Sequence, residues 1–155
     1  MPPALPLIMV LNGPNLNMLG LRQPELYGRA TLDDLEQLCI ETAESLDLAI
    51  DFRQSNLEGE LVSWVQECRS RAAGLVINAA AYTMTSIAIL DALMLLEMPV
   101  VEVHITNMQR REDFRQHSFV AKAATGVIAG LGVQGYALAI QAIAALLDEK
   151  SRGPR

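Results

Sequence analysis

The chain is 155 residues long; 51% are hydrophobic, only 5% are aromatic, and the formal net charge is −6 at pH 7. That length is one ordinary domain, able to bury about two-thirds of its unfolded surface around a Leu, Ile, Val, Ala and Met core without a disulfide or metal staple. The acidic balance argues against nucleic acid as a partner, since its binders are usually basic, and against an anionic membrane surface.

Leu7–Leu11 is an apolar strand candidate, closed by Asn12-Gly13-Pro14-Asn15. Residues 12–30, rich in Gly, Pro and Asn and without a period, read as a long loop; a loop of more than about 12 residues inside a compact domain is often a functional lid. Thr31 with Asp34 three positions on is an N-cap pair. Leu32, Leu35, Leu38, Cys39, Thr42, Ala43 and Leu46 follow at helical spacing. Residues 48–53 form a second strand. Ser55 and Asn56 precede a helix that carries Leu57, Leu61, Trp64, Val65 and Cys68 on one face. Gly74–Asn78 is a third strand, and Thr85 or Ser86 caps a third helix reaching about Glu97. Pro99–His104 is a Val-rich fourth strand, residues 107–119 a polar, Arg-rich connection, Gly126–Gly130 a fifth strand and residues 133–148 a closing helix. The expected core is residues 7–148 of a single domain, with a disordered tail at Ser151–Arg155.

Residues 72–90 and 123–147 carry no charge, long enough to raise the question of a membrane span. Asn78, Tyr82, Thr83, Thr85 and Ser86 break the first; Gly126, Gly130, Gly132, Gly135, Gln134 and Gln141 break the second. A buried strand running into a buried helix explains both, because strands of a parallel sheet covered on both faces read as continuous apolar runs. Five strands alternating with helices predict an α/β fold: an open, parallel, five-stranded sheet with helices on both faces and right-handed crossovers. The flavodoxin-like strand order 2-1-3-4-5 suits five strands and puts a ligand crevice beyond the carboxyl ends. Cys39 and Cys68 are too few for a disulfide framework and sit in apolar helical stripes, as buried free thiols do. The N-terminal MPPALPLIMV lacks the features of a signal peptide, so a cytoplasmic location is expected.

On this fold the carboxyl edge carries Asn12 and Asn15, then Gln54, Ser55 and Asn56, then Asn78, then His104, Thr106 and Asn107, all expected to open onto one crevice. Singly each is an ordinary turn or cap residue; their convergence beside a long loop points to a site. With His104 and His117 as the only histidines, and no cysteine pair at ligand spacing, no metal site is expected. Gly13, Gly20 and Gly28 match neither familiar phosphate-cradling spacing, and there is no Gly-x-Ser-x-Gly elbow. Acid–base chemistry without a cofactor is what remains for an enzyme.

Leu11-Asn-Gly-Pro-Asn-Leu-Asn17 followed by Arg22-Gln-Pro-Glu-Leu-Tyr-Gly28 resembles the N-terminal signature of the type II 3-dehydroquinate dehydratase family. Gln54-Ser-Asn-Leu-Glu-Gly-Glu60, Val101-Glu-Val-His-Ile-Thr-Asn107, Arg111-Glu-Asp-Phe-Arg115 and Gly126-Val-Ile-Ala-Gly-Leu-Gly132 resemble later segments of the family, in the same order. The resemblance spans about residues 7–147. It implies a flavodoxin-like fold, no cofactor and a homododecamer built as a tetramer of trimers. The implied reaction is the reversible dehydration of 3-dehydroquinate to 3-dehydroshikimate, an anti elimination through an enolate, in the shikimate or quinate pathway.

It also implies roles. Tyr27 matches the general base; a phenol ordinarily titrates near about 10 and needs a neighbouring cation to act as one. Arg22, on the same loop, matches the arginine for that task. Asn15, with a bound water, matches the group that steadies the enolate. His104 would protonate the leaving hydroxyl and Glu102 would orient it. The N–H groups of Ile105 and Thr106, with the Thr106 hydroxyl, would hold the substrate carboxylate. Asn78 and Arg115 would bind ring hydroxyls, Arg111 would support the same wall or the lid, and Asp91 would enter the pocket from a neighbouring subunit.

Two positions depart from the family's pattern. Asn78-Ala-Ala-Ala-Tyr-Thr-Met84-Thr-Ser86 has Met84 where the substrate-binding histidine is usual, and a thioether cannot donate a hydrogen bond. Gln23 stands where Glu is more usual. They leave open a divergent, non-catalytic member that binds a related cyclic carboxylic acid. A flavin- or nucleotide-binding module of the flavodoxin type is the third reading, with no phosphate loop to support it.

Overall fold

A computed structural model describes residues 3–21 and 23–153; Arg22 and the last two residues of the expected tail, Pro154 and Arg155, lie outside the described residues. Five parallel strands, β1 (Leu7–Asn12), β2 (Ala49–Gln54), β3 (Gly74–Asn78), β4 (Val100–His104) and β5 (Gly126–Ala129), form one sheet in the order β2-β1-β3-β4-β5, as the alternating pattern predicts. The register aligns the carboxyl ends: Asn12 lies opposite Gln54 on one side and Asn78 on the other, and His104 lies opposite Ala129.

Successive side chains on a strand face opposite ways, and β1 divides accordingly. Ile8 and Val10 enter one core with Leu35, Cys39, Tyr136 and Ile140, beneath α2 (Leu32–Glu44) and α5 (Gln134–Ser151). Met9 and Leu11 enter the other with Leu61, Val65 and Ile89, beneath α3 (Glu58–Arg71) and α4 (Ile87–Leu93). Thr31 and Asp34 form the expected capping box on α2, and Ser86 caps α4. Cys39 and Cys68 are buried free thiols, both pushed up to about 12 chiefly by that burial. Among the described residues no helix is long and apolar enough to cross a membrane.

The structure corrects several boundaries. The stretch 12–30 is not featureless: it holds a 3-10 turn at Leu16–Met18 and a four-residue helix, α1 (Pro24–Tyr27). Leu57 is 65% exposed rather than on the buried face of α3, because it precedes that helix at the N-cap position. α4 stops at Leu93, well short of Glu97; the backbone must already be extended before Pro99, which disfavours helix in the residue it follows. α5 continues to Ser151, whose hydroxyl donates to the Asp148 carbonyl at 2.8 Å. β5 is an edge strand with Val127 half exposed, not a strand covered on both faces.

Candidate active site

The carboxyl ends of β1, β3 and β4, with α1 and the turns after β4, enclose a cavity of about 190 Å³. Gly13 makes that convergence possible. Its N–H donates to the Asn78 carbonyl at 2.8 Å, and a Cβ there would stand 2.4 Å from the Ala79 carbonyl oxygen.

β4 supplies a histidine–carboxylate pair. Glu102 and His104 are two residues apart on one strand, so they share a face; both are buried, at 1% and 5% exposed. His104 Nε2 lies 2.5 Å from Glu102 Oε2. A buried carboxylate needs further donors, and the Ser118 hydroxyl lies 2.8 and 3.0 Å from the two Glu102 oxygens while accepting from the Ala121 N–H at 2.9 Å. With Nε2–H given to Glu102, Nδ1 is the ring nitrogen left for a ligand, and it carries a proton only in the imidazolium. His104 lines the cavity; Glu102 acts on it from behind.

Tyr27, the last residue of α1, lines the same cavity. Arg111 Nη1 donates to its hydroxyl at 2.9 Å and to Thr106 Oγ1 at 3.3 Å, and the guanidinium sits 5.5 Å from the centre of the Tyr27 ring. A guanidinium on a phenol oxygen makes a charge-assisted hydrogen bond, which strengthens as that oxygen gains negative charge. Arg111 therefore does more than support a wall. The Arg111 side chain is 11% exposed, and an acidic neighbour, Glu112, is 3.8 Å away. Arg115 also lines the cavity; its Nε donates to Glu112 at 2.8 Å. Arg29 and Arg110 instead line a wider, neighbouring cavity of about 800 Å³ that shares Tyr27, Thr106 and Arg111 as a wall.

Ile105 and Thr106 follow β4 directly, line the cavity, and donate their N–H groups to no backbone carbonyl among the described residues. Asn15 takes a left-handed conformation, φ 70°, which Asn tolerates better than most residues. Its N–H donates to Asn56 Oδ1 at 3.0 Å, and Gln54 Nε2 donates to the Gly13 carbonyl and to Asn56 at 3.1 Å each. Gln54 and Asn56 thus brace the Asn15 turn rather than line the cavity. Asn12 does not open onto it either: it is fully buried beneath. Ser55 donor-caps nothing in the cavity but accepts the Leu57 N–H at 2.9 Å, and Asn107 accepts from Gln109 N at 3.1 Å. Asn78 and Met84 both line the cavity, Met84 beside Ala80, Ala81 and Met108. Asp91 does not; it is exposed on α4. Arg22 lies outside the described residues.

Sequence reasoning missed Ser118, Met108 and Tyr136. A clue to Ser118 was available: a glutamate inside a Val-rich buried strand must find donors elsewhere in the chain.

An open parallel sheet with a histidine–carboxylate pair and an arginine-held phenol at its carboxyl edge defines the architecture of a small α/β protein equipped for proton transfer. The family model for class II dehydroquinases matches residues 6–144. A 3-dehydroquinate dehydratase from Methylobacterium radiotolerans is 60% identical over 139 residues, 90% of this chain and 93% of that protein. The 3-dehydroquinate dehydratase 2 of Pseudomonas putida is 56% identical over 146 residues, 94% of this chain and 98% of that one. The crystal structure of the type II dehydroquinase from Propionibacterium acnes superposes with a TM-score of 0.87 at 45% identity, covering 90% of this chain and 96% of that chain. The chain belongs to the class II dehydroquinase family.

Ser118→Ala removes the hydroxyl from both Glu102 oxygens. The expected result is a roughly tenfold fall in kcat with KM little changed, since a buried acceptor left unpaired costs about 1–3 kcal/mol. Steady-state kinetics checks this, and an unaltered kcat would show that His104 alone suffices to hold Glu102.

Proposed function

We propose that this chain catalyses the reversible, cofactor-free dehydration of 3-dehydroquinate to 3-dehydroshikimate by anti elimination through an enolate, a step of the shikimate or quinate pathway. The observation that carries the reading is that Tyr27, its hydroxyl held by Arg111, and His104, held by Glu102, line one cavity. Elimination needs a base and an acid on the same substrate, and a non-catalytic binder needs neither.

In this reading the Tyr27 oxygen takes the proton alpha to the ketone. Arg111 stabilises the phenolate, and Arg22 keeps the role its motif position suggests, as a second cation for Tyr27. Charge builds on the ketone oxygen, where Asn15 and a bound water supply hydrogen bonds already oriented before reaction. The imidazolium of His104 gives its proton to the departing hydroxyl, which leaves as water. Tyr27 then releases its proton and His104 regains one, so each turnover yields enone and water with the enzyme unchanged. The N–H groups of Ile105 and Thr106 receive the substrate carboxylate, and Asn78 and Arg115 the ring hydroxyls. Asp91, exposed on α4, completes the pocket of a neighbouring subunit in a homododecamer, a tetramer of trimers, working in the cytoplasm.

Incubating the protein with 3-dehydroquinate should give the rising ultraviolet absorbance of a conjugated enone. Tyr27→Phe should cut kcat by about 10²–10⁴-fold while leaving substrate binding intact; no absorbance change with the unaltered protein would sink the catalytic reading. Met84→His restores a donor and should lower KM roughly 3- to 10-fold with kcat nearly constant, a split read from the same assay. Dilution that dissociates the trimer, followed by sedimentation, should abolish activity while circular dichroism stays native. A fully active monomer would rule out the role given to Asp91.

A further inference from the structure

Beneath the cavity, three side chains form a line of hydrogen bonds whose direction is fixed independently from each end. At one end Asn12, the last residue of β1, donates from Nδ2 to the Arg53 carbonyl at 3.0 Å. A carbonyl can only accept, so the Asn12 amide has one possible orientation and its Oδ1 faces inward. There it accepts the hydroxyl of Tyr136, on α5, at 2.8 Å. A phenol has one proton, so the Tyr136 oxygen can only accept from Asn78 Nδ2, at 2.9 Å. At the other end the Ala80 N–H, which can only donate, reaches Asn78 Oδ1 at 3.1 Å. Both ends thus assign the same orientation to Asn78.

Rotating the Asn78 amide by half a turn would set its oxygen against a phenol oxygen whose proton is committed, and its NH₂ against the Ala80 N–H. Both contacts would be repulsive. Tyr136 and Asn12 are fully buried, and Asn78 is 4% exposed yet lines the cavity. Burial pushes the Tyr136 phenol far above its ordinary range, so it stays neutral and keeps its single donor.

We infer that Tyr136 is a positioning residue which, through Asn12, fixes the amide of Asn78 so that it meets the substrate as a hydrogen-bond donor, through the Nδ2 proton that no group among the described residues engages. The specificity that follows is for a ligand oxygen with a lone pair to offer at that point. The inference rests on the reading of the cavity as the 3-dehydroquinate site.

The test compares the whole protein with Tyr136→Phe, which keeps the ring and removes the hydroxyl. KM for 3-dehydroquinate should rise about tenfold with kcat within about twofold. Competitive analogues, each lacking one ring hydroxyl, then identify the contact. The unaltered protein should bind one analogue distinctly less well than its parent, and Tyr136→Phe should erase that one difference while preserving the others. Ile140→Val, which trims the same core without touching either asparagine, should lower Tm and leave every KM and inhibition constant unchanged. Asn78→Asp, with two acceptors in place of acceptor and donor, should weaken the parent compound more than the analogue. An unchanged KM in Tyr136→Phe, or an equal loss across all analogues, overturns the positioning role, and Asn78→Asp binding as the unaltered protein does overturns the donor assignment. Should Tyr136→Phe fail to fold, Asn12→Leu replaces it: with no acceptor at that position the Tyr136 proton is free to turn towards Asn78, and the same single-analogue loss is expected. Failure of the unaltered protein to turn over 3-dehydroquinate would count against the functional reading instead.

Discussion

The carboxylate of Glu102 is the constraint around which the catalytic end is arranged. All five residues of β4 are buried, and a carboxylate among them costs several kcal/mol unless it is fully bonded. One partner, His104, comes from the same face of the same strand. The other, Ser118, comes from sixteen residues downstream, so the chain must turn back over the sheet end after leaving β4. It does so through 3-10 turns at Met108–Arg110 and Asp113–Arg115, and the Phe119 N–H ties it down on the Thr83 carbonyl at 2.9 Å. The route that delivers Ser118 to Glu102 also carries Arg111 and Arg115 to the cavity wall. The demand of one buried anion thereby builds the cationic side of the site.

This explains how a chain of net charge −6 offers a place for a small anion. Arg53 and Arg71 are committed to Asp51 and Glu67 at the far edge of the sheet, holding both carboxyls below their ordinary range through those hydrogen bonds. Arg111 differs: its close partners are the hydroxyls of Tyr27 and Thr106. A mostly buried guanidinium whose short hydrogen bonds go to hydroxyls is only partly neutralised by the more distant, exposed Glu112 carboxylate, which Arg115 shares, while exposed charges elsewhere are screened over about 8–10 Å. Net charge describes the far field, and the site is set by the near one.

The central strands β1, β3 and β4 were legible because strands covered on both faces are written as largely apolar runs, and α2 because Thr31 and Asp34 sit at capping spacing. Of the residues expected at the site from recognisable motifs, Asn15, Tyr27, Asn78, Met84, His104, Ile105, Thr106, Arg111 and Arg115 line one cavity. The edge residues Asn12, Gln54 and Asn56 were assigned to the crevice because position at a strand end does not say whether an amide faces outward or bonds its neighbours. Ser118 and Tyr136 were not legible: their bonds join residues 16 and 124 apart, and no periodicity records a pairing that exists only after the sheet has formed.

Four residues that line the cavity are held by hydrogen bonds within the chain: Asn15 at its backbone N–H by Asn56, Asn78 by Tyr136 and Ala80, His104 by Glu102, Tyr27 by Arg111. Met84 takes part in none of these bonds among the described residues. On the proposed function, a methionine there in place of a histidine costs the ligand one contact and leaves untouched the bonds that orient the other groups. Sites organised by shared hydrogen bonds lose function cooperatively when a member is removed; a position outside the network changes affinity by its own contact alone. On that proposal Met84 bears on how tightly the substrate is held, while the bonds between Tyr27 and Arg111 and between His104 and Glu102 do not depend on it.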